Sequence, residues 1–164
     1  MGAEIFEIEL ADFRTDKQLE LMEDLRRPTA LRIIHETLLP YINECVPMNS
    51  GFLSRNRGNS PGNLRAHHHV TSNGITWKTK YSDYVWNGDG YGPHIPIHPK
   101  GDPNTIIGFY SKPTQYPTGK ALNYTTPGTG DHWINLFVDK MHGSYRSYVN
   151  NAVTRALKNY RGNK

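Results

Sequence analysis

The chain has 164 residues, a formal net charge of +4 and 36% hydrophobic residues, a size that suits one domain and divides poorly into two. Its single cysteine, Cys45, excludes an intramolecular disulfide framework, so the fold must hold without covalent staples, with Cys45 expected buried and inert. No apolar run approaches the ~18–20 residues that cross a bilayer, so the chain reads as a soluble protein with no membrane partner.

The start, MGAEIFEIEL, is acidic where an export signal would be basic, and Phe6 stands where myristoylation needs Ser or Thr, so neither export nor lipid anchoring is expected. Ten Tyr, fifteen Gly and eleven Pro favour extended segments and half-wet surfaces of the kind that touch other proteins. The basic balance permits contact with nucleic acid or acidic surfaces, and it is uneven: residues 1–44 hold most of the acids, while Arg55, Arg57, Arg65, Lys78 and Lys80 make the middle basic.

Residues 1–15 form an arm or short strand in which Ile5, Phe6, Ile8 and Leu10 alternate with acids. Helical spacing follows over 16–44. Leu19, Met22 and Leu25 mark a helix over 16–26, and Leu31, Ile34, Leu38 and Ile42 mark a second over 28–44, started by Pro28 and kinked or ended early by Pro40.

From 46 to 86 the period shortens to two, which predicts an antiparallel sheet with strands at 52–57, 66–72, 75–80 and 83–86. Asn73-Gly74 joins two of them as a tight hairpin, with Ile75, Trp77 and Thr79 on one face and Thr76, Lys78 and Lys80 on the wet one. Residues 87–130 hold eight Gly and seven Pro, which predicts one long loop, with a short strand at 105–110. Its many apolar residues would pack on the domain or on a neighbouring subunit, and Tyr91, Ile95, Ile97, Phe109, Tyr110, Tyr116 and Tyr124 are the candidate subunit interface. Asp131 then caps a long amphipathic helix over 131–160, weakened at Gly143. The expected class is α+β: N-terminal helices, a small antiparallel sheet, a long Gly/Pro/Tyr-rich loop and a long C-terminal helix packed on one sheet face.

The chemistry points away from an enzyme. His67, His68 and His69 are adjacent, but in a strand only His67 and His69 share a face, and Pro96 interrupts His94 and His98, so no metal and no other cofactor is expected. Glycine-containing stretches at 59–62 and 126–130 lack the Lys-Ser/Thr of a phosphate loop, and no nucleophile stands beside a base. Two readings compete with an assembly role. One is a metal-dependent nucleic-acid enzyme using His67, His69, His94 and His98. The other is a DNA-binding accessory protein using Arg55, Arg57, Arg65, Trp77, Lys78 and Tyr81.

Cys45-Val46-Pro47-Met48-Asn49-Ser50-Gly51-Phe52-Leu53 resembles the V-P-x-x-[TS]-G-x-L signature that follows the first helix in minor capsid and tail-completion proteins of tailed bacteriophages. Tyr81, Tyr84 and Gly88 resemble that family's P-Y-A-x-x-x-x-x-G stretch, with Lys80 and Ser82 in place of its Pro and Ala. Trp133 opens the last helix where such proteins place a Trp. The family positions are thus Val46, Pro47, Ser50, Gly51, Leu53, Tyr81, Tyr84, Gly88 and Trp133. The resemblance implies a non-enzymatic virion protein of the head-tail connector, or neck. It would form a six- or twelvefold ring between portal and tail, with adaptor and tail proteins as neighbours. DNA would pass through the lumen without sequence readout, the DNA-facing candidates being Arg55, Arg57, Arg65, Lys78 and Lys80.

Overall fold

The structure, a computed structural model, describes residues 15–47, 64–79, 81–124 and 126–163. The expected arm and the strand at 52–57 lie outside them. The class is α+β.

Helix α1 (Asp16–Asp24) starts at a capping box: the Gln18 amide donates to Thr15 Oγ1 (3.3 Å) and the Thr15 amide to Gln18 Oε1 (2.9 Å), so two orphan N–H groups are satisfied reciprocally. Its buried face is Gln18 and Leu21, continued by Leu25, rather than the Leu19 face of the sequence reading. Gln18 Nε2 donates to the Asn150 carbonyl (3.4 Å), which lets a polar residue take the inner position and leaves Leu19 exposed. Helix α2 (Arg27–Asn43) carries Pro28 in its first turn and buries Ala30, Ile34, Leu38 and Ile42 at helical spacing. It runs through Pro40, which supplies no N–H for the Glu36 carbonyl, and ends three residues later at Asn43.

A 3₁₀ turn (Leu64–Ala66) leads into β1 (His68–Val70), which pairs antiparallel with β2 (Ile75–Trp77) in the register His68↔Trp77, Val70↔Ile75. The expected hairpin is therefore present, with shorter strands. Its turn centres on Ser72–Asn73, one residue early, because the Thr71 amide bonds the Gly74 carbonyl (2.9 Å) while Thr71 Oγ1 accepts from the Asn73 amide (3.1 Å). Ile75 and Trp77 are buried and Lys78 is exposed, as the alternation predicts.

The expected strand at 83–86 is instead helix α3 (Ser82–Asn87). Six residues cannot separate period two from period 3.6. Here burial of Ser82 with Val85, three apart, and a left-handed Gly88 (φ +73°) closing the C-terminus select the helix.

The expected loop over 87–130 is largely a second hairpin, β3 (Asp89–Ile97) against β4 (Gly108–Ala121). Prolines forbid a central strand, but each strand of a two-stranded ribbon is an edge, where an N–H that would face solvent can be missing at no cost to the ladder. Register shifts between Asp89 and Tyr91 and between Gly92 and His94 absorb the extra residues of β4.

The final helical segment is broken. Helix α4 (Trp133–Met141) and helix α5 (Tyr145–Gly162) are separated at Gly143, and the N-cap of α4 is His132, not Asp131. Trp133, Phe137 and Met141, then Val149, Val153 and Leu157, line the buried stripes. The long helix α5 packs chiefly on α2, with α1 and α4 beside it, and not on a sheet face. The β1–β2 hairpin meets α2, where Trp77 Nε1 donates to Asn43 Oδ1 (3.0 Å), and α4, through an edge-to-face contact of Trp133 with Trp77 (6.1 Å). Leu38, Ile42, Ile75, Trp133, Phe137, Val149, Val153 and Leu157 belong to one buried cluster, each such side chain worth about 1.5–3 kcal/mol.

Candidate functional site

The β3–β4 hairpin is fastened at one end and bare at the other. At its base the Leu122 amide bonds the Gly88 carbonyl (2.7 Å), Thr118 Oγ1 donates to the Gly90 carbonyl (2.9 Å) and Tyr124 Oη donates to the Val85 carbonyl. A Cβ at Gly90 would sit 2.8 Å from the Lys120 carbonyl oxygen, so only glycine allows this close approach of the strands. Tyr91 stacks against both Tyr81 (5.8 Å) and Tyr84 (5.5 Å), and His94 meets its edge (5.0 Å). Beside it, Trp86 contacts Trp133 edge-on (4.7 Å) and His132 (4.9 Å), and the His132 amide donates to the Trp86 carbonyl (3.0 Å). Helix α3 is thus the platform that holds the base of the hairpin to the core.

Farther out the ribbon is held by its own bonds. The Ile107 amide donates to the Ile97 carbonyl (2.9 Å), His98 Nδ1 lies 3.0 Å from the Thr105 carbonyl, and Asp102 Oδ1 accepts from the amides of Asn104 and Thr105. The Thr105 and Asn104 hydrogen bonds hold the Asp102 carboxyl below its ordinary value. The side chains are not covered. Tyr116 is 57% exposed, Tyr110 51%, Ile106 48% and Phe109 42%, with Ile97 and Ile107 comparable. The Ile95↔Tyr110 and Pro96↔Phe109 pairs put apolar groups on opposite faces, since paired residues share a side and neighbours alternate. An isolated two-stranded ribbon is marginal in water, and this one presents apolar side chains to solvent on both faces.

The candidate interface therefore divides. Ile97, Phe109, Tyr110 and Tyr116 are exposed on the arm, and Ile95 is half-buried. Tyr91 and Tyr124 are spent inside the chain as the arm's anchors, because each has aromatic or carbonyl partners in α3. Ile106 and Ile107 extend the bare region, and their side-by-side apolar pair in the loop was the signal for it.

The basic set also divides. Arg55, Arg57 and Lys80 lie outside the described residues. Lys78 is exposed at the end of β2. Arg65 is half-buried and bonds the backbone: its Nε donates to the Val46 carbonyl (2.8 Å) and its Nη2 to the Glu44 carbonyl (3.3 Å), satisfying oxygens left open where α2 ends. Burial lowers its pKa.

Of the family positions, Val46 and Pro47 are buried directly after α2, Tyr81 and Tyr84 form the stack, Gly88 is the left-handed cap of α3, and Trp133 is the first residue of α4. Ser50, Gly51 and Leu53 lie outside the described residues. Cys45 is fully buried, and burial raises its thiol pKa, which suppresses thiolate chemistry. Among the described residues no three His, Cys, Asp or Glu side chains are grouped to hold a metal ion, so His67 and His69 are not joined there by His94 and His98. His35 was missed by sequence reasoning: it is buried, with Nδ1 2.8 Å from the Thr71 carbonyl, and so ties α2 to the first hairpin. No helix among the described residues is long and apolar enough to cross a membrane.

Compared with protein-family models, curated proteins and solved structures, the chain matches none.

Proposed function

We propose that this chain is a non-enzymatic structural subunit of the head-tail connector of a tailed bacteriophage, assembling as a six- or twelvefold ring between portal and tail in the virion and helping head completion or tail attachment. The observation that carries an assembly role is the bare arm: an ordered ribbon, anchored at Tyr91, that presents Ile97, Ile106, Ile107, Phe109, Tyr110 and Tyr116 to solvent. Apolar and aromatic groups of this kind supply contact area at low entropic cost. The connector assignment rests on the sequence resemblance at Val46 to Leu53, Tyr81 to Gly88 and Trp133. In this reading the basic residues of the middle segment, Lys78 among them, face DNA in the lumen through its phosphates and without base readout.

The test is the protein's state in particles and in solution. Mass spectrometry of purified virions should detect the chain, and electron microscopy of the concentrated protein should show closed rings. Absence from virions together with a monomer at every concentration overturns the proposal.

A further inference from the structure

The positive charge of this chain is gathered at one end. Residues 140–164 hold Lys140, Arg146, Arg155, Lys158, Arg161 and Lys164 and no Asp or Glu, so the residues before them are together net negative. Helix α5 lies in this stretch, and packing sorts its side chains. Val149, Val153 and Leu157 face the core, while Ser147, Tyr148, Asn151, Arg155, Lys158 and Asn159 are exposed. At about 3.6 residues per turn these six fall on the side opposite the buried stripe. The face they make is basic and hydrogen-bonding, with no carboxylate and no aliphatic side chain among them.

The helix dipole does not account for this charge. It favours cations in the last turn, which Arg161 fills, whereas Arg155 lies about two turns from the end. The first turn holds Arg146 and no acid, the reverse of the dipole's preference. Ion pairing does not account for it either. Arg161 Nη1 is held by Asp24 Oδ2 at 2.8 Å, but among the described residues no carboxylate is paired with Arg155 or Lys158. Lys158 lines a cleft of about 470 Å³ between α1 and α5, together with Lys17, Glu20 and Arg161. Tyr148 is 58% exposed and set edge-on against Tyr41, with ring centroids 5.9 Å apart, which holds its phenol on the same face.

The chemistry of the face selects its partner. A membrane surface needs apolar side chains to insert, and those of α5 are buried in the core. A protein interface builds on an apolar centre and is depleted in lysine. Phosphates need what this face has: cations with hydroxyl and amide donors beside them and no competing carboxylate. We propose that the exposed face of α5, centred on Arg155 and Lys158, binds the sugar-phosphate backbone of a nucleic acid without reading its sequence. This surface lies on a different element from the arm and from Lys78, and it needs no ring, so it stands or falls apart from the connector assignment.

The test is binding of the full chain to a fluorescein-labelled DNA duplex of about 24 base pairs and random sequence, read by anisotropy over a salt series. Arg155→Gln/Lys158→Gln changes two exposed residues to a good helix former, and circular dichroism and melting should match wild type. It should bind at least about tenfold more weakly at ~100 mM salt, and the slope of log affinity against log salt should become shallower by about 2, near 0.9 for each lost phosphate contact. Each single variant should account for about half of that change, and Arg155→Lys, which keeps the charge, should keep the slope. A double variant that folds as wild type and keeps its affinity and slope overturns the proposal. So does a loss confined to Lys78→Gln, which returns the contact to the first hairpin. Polyglutamate of matched charge that binds as tightly as the duplex overturns it in favour of an acidic protein surface. A wild type that binds no duplex at ~50 mM salt also overturns it, and leaves the arm's part in assembly standing.

Discussion

Tyr91 lies flat on Tyr81, with ring centroids 5.8 Å apart and planes 4° from parallel, while its other stacking partner is Tyr84 at 5.5 Å. These contacts fasten β3 to α3 and, through Trp86 and Trp133, to the core. Tyr91→Ala should therefore cost about 2–4 kcal/mol, the sum of lost burial and two aromatic pairs, and Tyr91→Phe less than about 1 kcal/mol. Urea unfolding measures both. Equal stability of Tyr91→Ala and wild type would mean that the base of the arm is not held this way.

Arg65 makes a separate prediction, because its guanidinium satisfies the Val46 and Glu44 carbonyls at the end of α2. Arg65→Ala should lower stability by about 1–2 kcal/mol, the scale of charge-assisted hydrogen bonds. Arg65→Lys should recover only part of this, since a single ammonium cannot reproduce the two-pronged geometry. A stable Arg65→Ala protein would return this residue to the surface role that the sequence suggests.

Stability should decline in alkali. Burial pushes the Tyr81 phenol up to about 12, with Tyr91 adding to it, and burial, with Asp131 and Asp89, pushes Tyr124 up to about 12. Unfolded tyrosine titrates near ~10. Between those values the folded chain keeps protons that the unfolded chain releases, so the contribution of these groups is complete below pH ~10 and is lost as pH rises towards ~12. The urea midpoint should fall over that window, and less steeply in Tyr81→Phe and Tyr124→Phe. A midpoint unchanged to pH 11.5 would contradict the burial of these phenols.

Much of the helical frame is legible in the sequence because its periodicity is long and its caps are local. Pro28 and the Ile34–Leu38–Ile42 stripe each act within a few residues, and the structure follows them; the equally local Thr15–Gln18 capping box was missed. The first hairpin is legible for the same reason, although Thr71 shifts its turn by one residue. The errors come where tertiary context decides. Tyr84, Val85 and Trp86 are the aromatic and β-branched residues a strand favours, yet the contacts of α3 with β3 and the left-handed Gly88 make them helical. The prolines of 87–130 read as strand breakers because sequence alone does not say that the ribbon has two strands and therefore no interior. For the same reason Tyr91 and Tyr116 look alike in the sequence, whereas only the fold makes one an anchor and the other a bare contact.

Whether the arm drives self-assembly is decided by light scattering on matched samples. Wild-type protein and the Phe109→Lys/Tyr110→Lys variant, both exposed sites on β4, would be compared over a concentration series, with circular dichroism and melting to confirm equal folding. The wild type should form a defined oligomer and the variant a monomer. A variant that assembles as well as the wild type, or a wild type that stays monomeric throughout, would contradict it.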